Sequence, residues 1–483
     1  MSSSSPITSQ NPSPTTSSST SPSVAASDPS ATGEPNIVFV LTDDLAWNLV
    51  QYMPHVQAMQ RVGTTLSNYY VVDSLCCPSR SAILTGEYPH NDGVFTNGGD
   101  DGGYQTFNSH GNQPNTFGVS LQKAGYRTGF MGNYLNGYLP KDPPPPGWNE
   151  WDVAGNGYPE FNYTLNENGK QVHYGKAPAD YLTDVLSAKA TSFIDSAAGK
   201  PFALEIATFA PHRPSTPAPR DANSFPGLQA PRTSAFNKSP TGAPSWLAAI
   251  PPLTATGEQE IDDQFRLRAQ SVQAVDAMIG NLQEHLIAGG LAKNTYFVFS
   301  SDNGYHMGEH RLRPGKQTAY DTDIKLPLIV TGPGVPTRRT VAALTSSIDL
   351  APTFETIGGA SIPATTDGTS MLALWHGQNP PSNWQQAVLV EHHGPNTTPK
   401  DPDKPSRFGG NPPSYEAIRT ASALYVQYGN GDREYYNTDT DPDELHNLAP
   451  TAAPTQLAPL QRALTTLAHC RGTVGCQSAA QLR

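Results

Sequence analysis

Residues 36–44 read Asn36-Ile37-Val38-Phe39-Val40-Leu41-Thr42-Asp43-Asp44. An apolar run this short, rich in β-branched side chains and closed by polar residues, predicts a strand buried on both faces, as in a parallel sheet. The same grammar returns three times. Residues 202–209 (FALEIATF) run into Ala210-Pro211-His212-Arg213-Pro214, and 296–300 (YFVFS) into Ser301-Asp302-Asn303-Gly304. Residues 326–330 (LPLIV) run into Thr331-Gly332-Pro333-Gly334. Between the second and third runs, 258–288 carry Val272, Val275, Ile279, Leu282 and Leu286 at helical spacing. Strands alternating with helices predict an α/β domain with a mixed, mainly parallel sheet. In such a sheet the C-terminal strand ends share one edge, where ligands bind. The acidic pairs and the histidine should therefore converge, although they are scattered in sequence.

Residues 1–34 are mostly Ser, Thr, Pro and Ala. Such a segment cannot pack a core and predicts a disordered tail. Residues 35–380 carry the α/β pattern and form the expected catalytic domain. Beyond 380 the texture changes to short strand candidates at 387–390, 417–420, 424–428 and 434–437, with a helix over 454–468. These predict a smaller C-terminal antiparallel-sheet subdomain over 381–483. Its His392, His393 and the Pro/Gly/Asp-rich loop 394–413 should overhang the pocket.

A chain of 483 residues can bury both cores. Only 15% of residues are charged, with 46 Pro and 42 Gly, which suits a loop-rich globular protein and not a coiled coil. The net charge of −12 argues against nucleic-acid binding. An acidic protein that handles an anion needs a local positive site. No apolar run reaches the roughly 18–20 residues of a membrane span. No signal peptide is visible, because the first apolar stretch is too short. A Ser/Thr/Pro-rich tail often tethers secreted or cell-envelope domains, so that location is expected, with a tailed cytoplasmic enzyme as the alternative. Of the four cysteines, Cys470 and Cys476 are close enough in sequence to close a small loop. A disulfide there implies an oxidising compartment; two free thiols are the other reading.

The decisive chemical segment is Cys76-Cys77-Pro78-Ser79-Arg80-Ser81-Ala82-Ile83-Leu84-Thr85-Gly86. Taken alone it could be a structural helix start, with Pro78 pre-setting the first turn. It also resembles, almost letter for letter, the signature of the type I sulfatases, Cys-x-Pro-Ser-Arg followed by Leu-Thr-Gly. The resemblance runs from about residue 35 to 476. Supporting segments are Gly132-Asn133-Tyr134-Leu135-Asn136, Pro146-Gly147-Trp148, Glu434-Tyr435-Tyr436-Asn437 and Asp441-Pro442-Asp443-Glu444-Leu445. It is nearest the N-acetylglucosamine-6-sulfatase and bacterial arylsulfatase-like members. It implies an alkaline-phosphatase-like fold and hydrolysis of aryl or carbohydrate sulfate monoesters. In that family a maturation enzyme oxidises the cysteine, here Cys76, to formylglycine. The hydrated aldehyde attacks sulfur with one oxygen and expels sulfate through the other.

The resemblance also implies a site. Asp43, Asp44, Asp302 and Asn303, with residue 76, would hold a hard cation, Ca²⁺ or alternatively Mg²⁺. Arg80, one helical turn beyond Cys76, would reach the aldehyde or a metal-bound carboxylate. Lys316 matches the sulfate-binding lysine. His212 matches the histidine that contacts sulfate and protonates the departing oxygen. His306 is a second acid/base candidate. Asn133 stands where the family has a lysine touching sulfate and nucleophile, and Leu135 where some sulfatase groups have a histidine. The closing Cys470–Cys476 pair also looks like the family. A phosphoester or phosphonate monoester hydrolase of the same superfamily is one alternative. A non-catalytic sulfated-glycan binder, with Asn133 marking decay, is another.

Overall fold

Every residue of the first strand, β1 (Asn36–Thr42), is buried. Ile37, Phe39 and Leu41 join one hydrophobic core, while Val38 and Val40 join a second on the other face of the sheet. That two-sided burial is why the run lacks polar alternation. The structure, a computed structural model, describes residues 33–398 and 401–482. Apart from residues 33 and 34, the expected tail lies outside them.

The remaining strands of the main sheet are β2 (Thr64–Tyr70), β3 (Arg127–Asn133), β4 (Glu150–Ala154), β5 (Tyr163–Glu167), β6 (Lys170–Tyr174), β7 (Phe202–Ala207), β8 (Thr295–Ser301), β9 (Lys325–Thr331), β10 (Arg339–Val341) and β11 (Thr345–Ser346). The order is β10-β2-β9-β8-β1-β7-β3-β4-β5-β6, with β11 beside β2. Its centre, β8-β1-β7-β3-β4, is parallel. Three of the four quoted runs lie in that centre. The fourth, β9, runs antiparallel to both β8 and β2. This reversal brings the start of β9 to the edge where β1, β7 and β8 end, and the segment before β9 carries Lys316 there. Helices cover both faces. The longest, Ala255–Ala288, is capped by Thr254, whose hydroxyl accepts from Gly257 N at 3.1 Å.

After β2 the chain enters the helix Cys76–Thr85, all of whose residues are buried. It stops at Gly86, whose φ of +73° is the left-handed conformation that glycine adopts without a Cβ clash. A second, four-stranded antiparallel sheet contains β12 (Ala387–His392), β13 (Tyr415–Thr420), β14 (Ala423–Tyr428) and β15 (Arg433–Asn437). Its core includes Leu389, Ile418 and Tyr425, with Leu457 and Leu464 from the helix Pro454–Leu467. Ala82 of the Cys76 helix joins the same cluster, so this sheet buttresses that helix. Residues Glu34–Arg483 form one compact unit.

Phe39 tests the two-sided core, because it is 1% exposed and its ring centre lies 5.2 Å from that of Phe354. Phe39→Ala should lower the unfolding free energy by about 3–5 kcal/mol in denaturant titration. Val474→Ala, at a residue 82% exposed, should leave it unchanged. Equal stability of the two variants would contradict the packing described.

Candidate functional site

The strand ends converge. β1 delivers Asp43 and Asp44, β8 delivers Asp302 and Asn303, β3 ends at Asn133, and the loop after β7 carries His212. The first turn of the Cys76 helix enters the space between them. Asp43, Asp44, Cys76 and Asp302, all buried, present atoms within 4.8 Å of one another.

The Cys76 thiol donates to Asp43 Oδ1 at 3.2 Å. Arg80 reaches back along its helix. Its Nε donates to Asp302 Oδ2 at 2.8 Å, and its terminal nitrogens lie 3.3 Å from Asp43 Oδ2 and 2.7 Å from the Asn133 carbonyl oxygen. The Asn133 amide donates to Asp43 Oδ2 at 2.7 Å. Lys316 Nζ closes the other side, 2.8 Å from Cys76 Sγ, 2.7 Å from Asp44 Oδ1 and 2.8 Å from Asp403 Oδ1.

His212 Nε2 meets the same Asp403 oxygen at 2.8 Å, while its Nδ1 lies 2.6 Å from the Arg213 carbonyl oxygen. A carbonyl and a carboxylate can only accept, so both ring nitrogens donate and the imidazole is cationic. Burial opposes that charge, but Asp44, Asp43 and Asp403 outweigh it and raise the histidine to about 9. Burial and the neighbouring Asp302 push Asp43 up to about 7. Burial raises Asp44 too, yet Lys316 and His212 hold it below the usual carboxylate range. Burial, with Asp302, Asp403 and Asp43, drives the Cys76 thiol well above its ordinary value, so the sulfur is a neutral thiol.

The donor set fits a hard divalent cation. Asp44 Oδ2 and Asn303 Oδ1 are buried without a hydrogen-bond partner. The Asn303 amide nitrogen donates to Asp44 Oδ1 at 2.7 Å and the Gly304 carbonyl at 2.9 Å, which leaves its oxygen free for a ligand. Three carboxylates and one amide oxygen, so buried and crowded that desolvation and then the Asp302 charge raise Asp43, suit calcium or magnesium chemistry.

His306 has a different setting. Its Nδ1 lies 3.0 Å from both Asp323 oxygens, and its backbone pairs with Gly315. Among the described residues it makes no hydrogen bond to the Cys76 cluster, and it steadies the loop bearing Lys316. From loop 394–413, Thr398, Asp401 and Pro402 line a cleft of about 440 Å³ that Asn133 and Tyr158 also line. Neither His392 nor His393 lines it: His392 is buried against Tyr415, and His393 stacks on Phe95. Cys470 and Cys476 are joined by a disulfide.

Sequence reasoning missed two charged members. Asp403 gave no signal in its Pro/Asp-rich loop. Arg268 did: it stands one turn before Val272, on the apolar face of the long helix, where a charge needs a reason. Its buried guanidinium donates to the carbonyls of Asp44 and Pro211 and lies over the Tyr305 ring at 4.2 Å.

Residues 35–360 match the family model described as Sulfatase, and 308–469 match that of the N-sulphoglucosamine sulphohydrolase C-terminal region. The chain is 37% identical to the human N-acetylglucosamine-6-sulfatase over 92% of its own length and 86% of the relative's. Among solved structures it resembles one described as being in complex with its substrate D-glucosamine-2-N,6-O-disulfate. That match has a TM-score of 0.75 and 23% identity, covering 90% of this chain and 97% of the other. A phosphonate monoester hydrolase from Silicibacter pomeroyi shares the fold with a TM-score of 0.67 and 23% identity, covering 89% and 93%.

Calorimetry after chelation should show one tight divalent-cation site in the native protein. Asp44→Asn should weaken it by more than the about 10- to 100-fold typical of a residue outside the ligand shell. Unaltered affinity in a folded Asp44→Asn protein would remove Asp44 from the cation site.

Proposed function

This chain belongs to the sulfatase family and hydrolyses sulfate esters, and from that premise we propose that it removes the 6-O-sulfate of glucosamine units with a nucleophile made from Cys76. The observation that carries the reading is Lys316 Nζ at 2.8 Å from Cys76 Sγ, inside the ring of Asp43, Asp44 and Asp302. Nucleophile position, anion-binding cation and metal-ligand set meet at one point. The human relative's name and the amino-sugar disulfate in the similar structure support the sugar and its 6-position.

Each residue has a physical role. Asp43, Asp44, Asp302 and Asn303 would hold the cation, Ca²⁺ by family resemblance and otherwise Mg²⁺, which when bound draws electron density from a sulfate oxygen. Converted to formylglycine by a maturation enzyme, residue 76 supplies a hydrated aldehyde whose two oxygens serve in turn for attack on sulfur and release of sulfate. Lys316 and His212 receive the sulfate charge. Arg80 acts on the metal side, neutralising Asp43 and Asp302. Cationic His212 donates its Nε2 proton to the departing alcohol oxygen. Asp403 accepts from both Lys316 Nζ and His212 Nε2, so it holds the two cations side by side and must release the Nε2 proton before His212 can pass it to the ester. Asn133 supplies a neutral donor where the family has a lysine, and His306 acts through the Lys316 loop.

The machinery thus lies in residues 35–380, and 381–483 add Asp403 to its rim. The Cys470–Cys476 disulfide supports a secreted or cell-envelope location. No helix among the described residues is long and apolar enough to cross a membrane.

Matured protein should release sulfate from N-acetylglucosamine 6-sulfate far faster than phosphate from the 6-phosphate; the reverse order would sink the sulfate assignment. His212→Ala should cut kcat on the sugar sulfate by about 100- to 10,000-fold, and much less on nitrophenyl sulfate, whose leaving group needs no proton. Equal losses on both substrates would deny His212 the role of acid. Asn133→Lys should raise kcat/KM by restoring a cationic donor. No gain, or a loss, would mean that position 133 works in a differently arranged pocket.

A further inference from the structure

At the end of the main sheet away from the catalytic residues, β10 forms the edge and Arg339 pairs with Thr64, the first residue of β2. There Arg61, Arg338 and Arg339 line one open cleft of about 720 Å³ with Trp47, Gln57 and Gln60. Three observations set this cleft apart.

First, in a chain with 42 acidic residues and a net charge of −12, residues 45–72 and 324–348, which supply all of its walls, contain no Asp or Glu. Second, none of the three arginine side chains has a hydrogen bond or ion pair among the described residues, and the Nε of Arg339 is buried without a partner. Arg80, Arg220, Arg232 and Arg419 all pair with carboxylates. A guanidinium offers five donors in a fixed fork that matches planar or tetrahedral oxyanions. Three such forks left open on an acidic protein make a local positive field with no internal purpose. Third, the rest of the wall is an indole, the primary amides of Gln51, Gln57 and Gln60, and the small side chains of Val50, Thr65 and Thr340. Trp47 offers a flat apolar face for a sugar ring, Gln60 offers a donor and an acceptor for hydroxyls, and Gln57, whose amide nitrogen donates to the Val50 and Gln51 carbonyls, offers its oxygen as an acceptor.

We propose that this cleft is a second binding site, distinct from the catalytic one, for a sulfated glycan chain. Arginines take the sulfate groups while the indole and amides take the sugar between them. The site lies at the far end of the sheet, so it holds the polymer and not the ester being cleaved. The enzyme thereby stays on a chain while successive ends reach the catalytic pocket. The choice of a sugar sulfate as ligand rests on the function proposed above.

The test measures binding without turnover, in full-length Cys76→Ala protein, so a failed substrate assignment and a failed second site are told apart. A sulfated heparin octasaccharide is titrated at physiological salt, against the same oligosaccharide with its sulfates removed. Binding should require the sulfates. Combined Arg61→Gln, Arg338→Gln and Arg339→Gln should weaken it by about tenfold or more, as expected for three exposed charge contacts. In otherwise active protein the same triple substitution should leave kcat/KM on the monosaccharide sulfate and the thermal midpoint unchanged. Equal affinity with and without the arginines overturns the proposal. So does arginine-dependent binding that is tighter for a DNA oligonucleotide or phosphatidylserine vesicles than for the octasaccharide.

Discussion

Three carboxylates, Asp43, Asp44 and Asp302, are buried within reach of one another, and most of the site exists to make that tolerable. An unpaired charge in a protein interior costs several kcal/mol, so each needs a cation or a donor. Arg80 bridges Asp43 and Asp302, and Lys316 neutralises Asp44. His212 lies 3.8 Å from Asp44 Oδ2. Two acceptors, Asp44 Oδ2 and Asn303 Oδ1, are buried without a hydrogen-bond partner, a donor chemistry that suits a divalent ion. Cys76 sits among these charges because its helix starts there. The helix N-terminus and the two cationic side chains then place positive charge around a thiol that is itself neutral.

The second sheet keeps that arrangement in place. Glu434 on β15 is buried and accepts hydrogen bonds from the hydroxyls of Tyr320, Tyr428 and Tyr436. Tyr320 follows closely on Lys316, so the lysine's loop is pinned to the second sheet. His306, through Asp323 and Gly315, holds the same loop from the other side. Loop 394–413 then lays Asp403 across Lys316 and His212. Residues from opposite ends of the chain thus fix one ammonium beside one sulfur.

Much of this was legible in the residues. The apolar runs at β1, β7 and β8 announce themselves because burial on both faces removes polar alternation. The Cys76 helix carries a motif whose spacing is chemical, and the oxygen donors sit directly after strands. β3 is quieter. Its sequence RTGFMGN holds two glycines, which weaken strand propensity. Gly132 is nevertheless required: at φ +100°, an added Cβ would lie 1.9 Å from the Ala207 carbonyl oxygen of neighbouring β7. The direction of β9 is not encoded in its own composition, since an interior strand looks the same either way up. Asp403 was invisible because its role depends on a loop returning across the sheet edge from far along the chain. Arg268 could have been found, as a charge on an apolar helical face.

In the proposed mechanism the buried neutral thiol at position 76 is the precursor of the nucleophile and not the nucleophile itself. Peptide mass spectrometry of fully active protein tests it most directly. The expected result is an aldehyde in place of the thiol at residue 76, with Cys77 unaltered and activity proportional to the converted fraction. Full activity in protein whose Cys76 is still a thiol would contradict it.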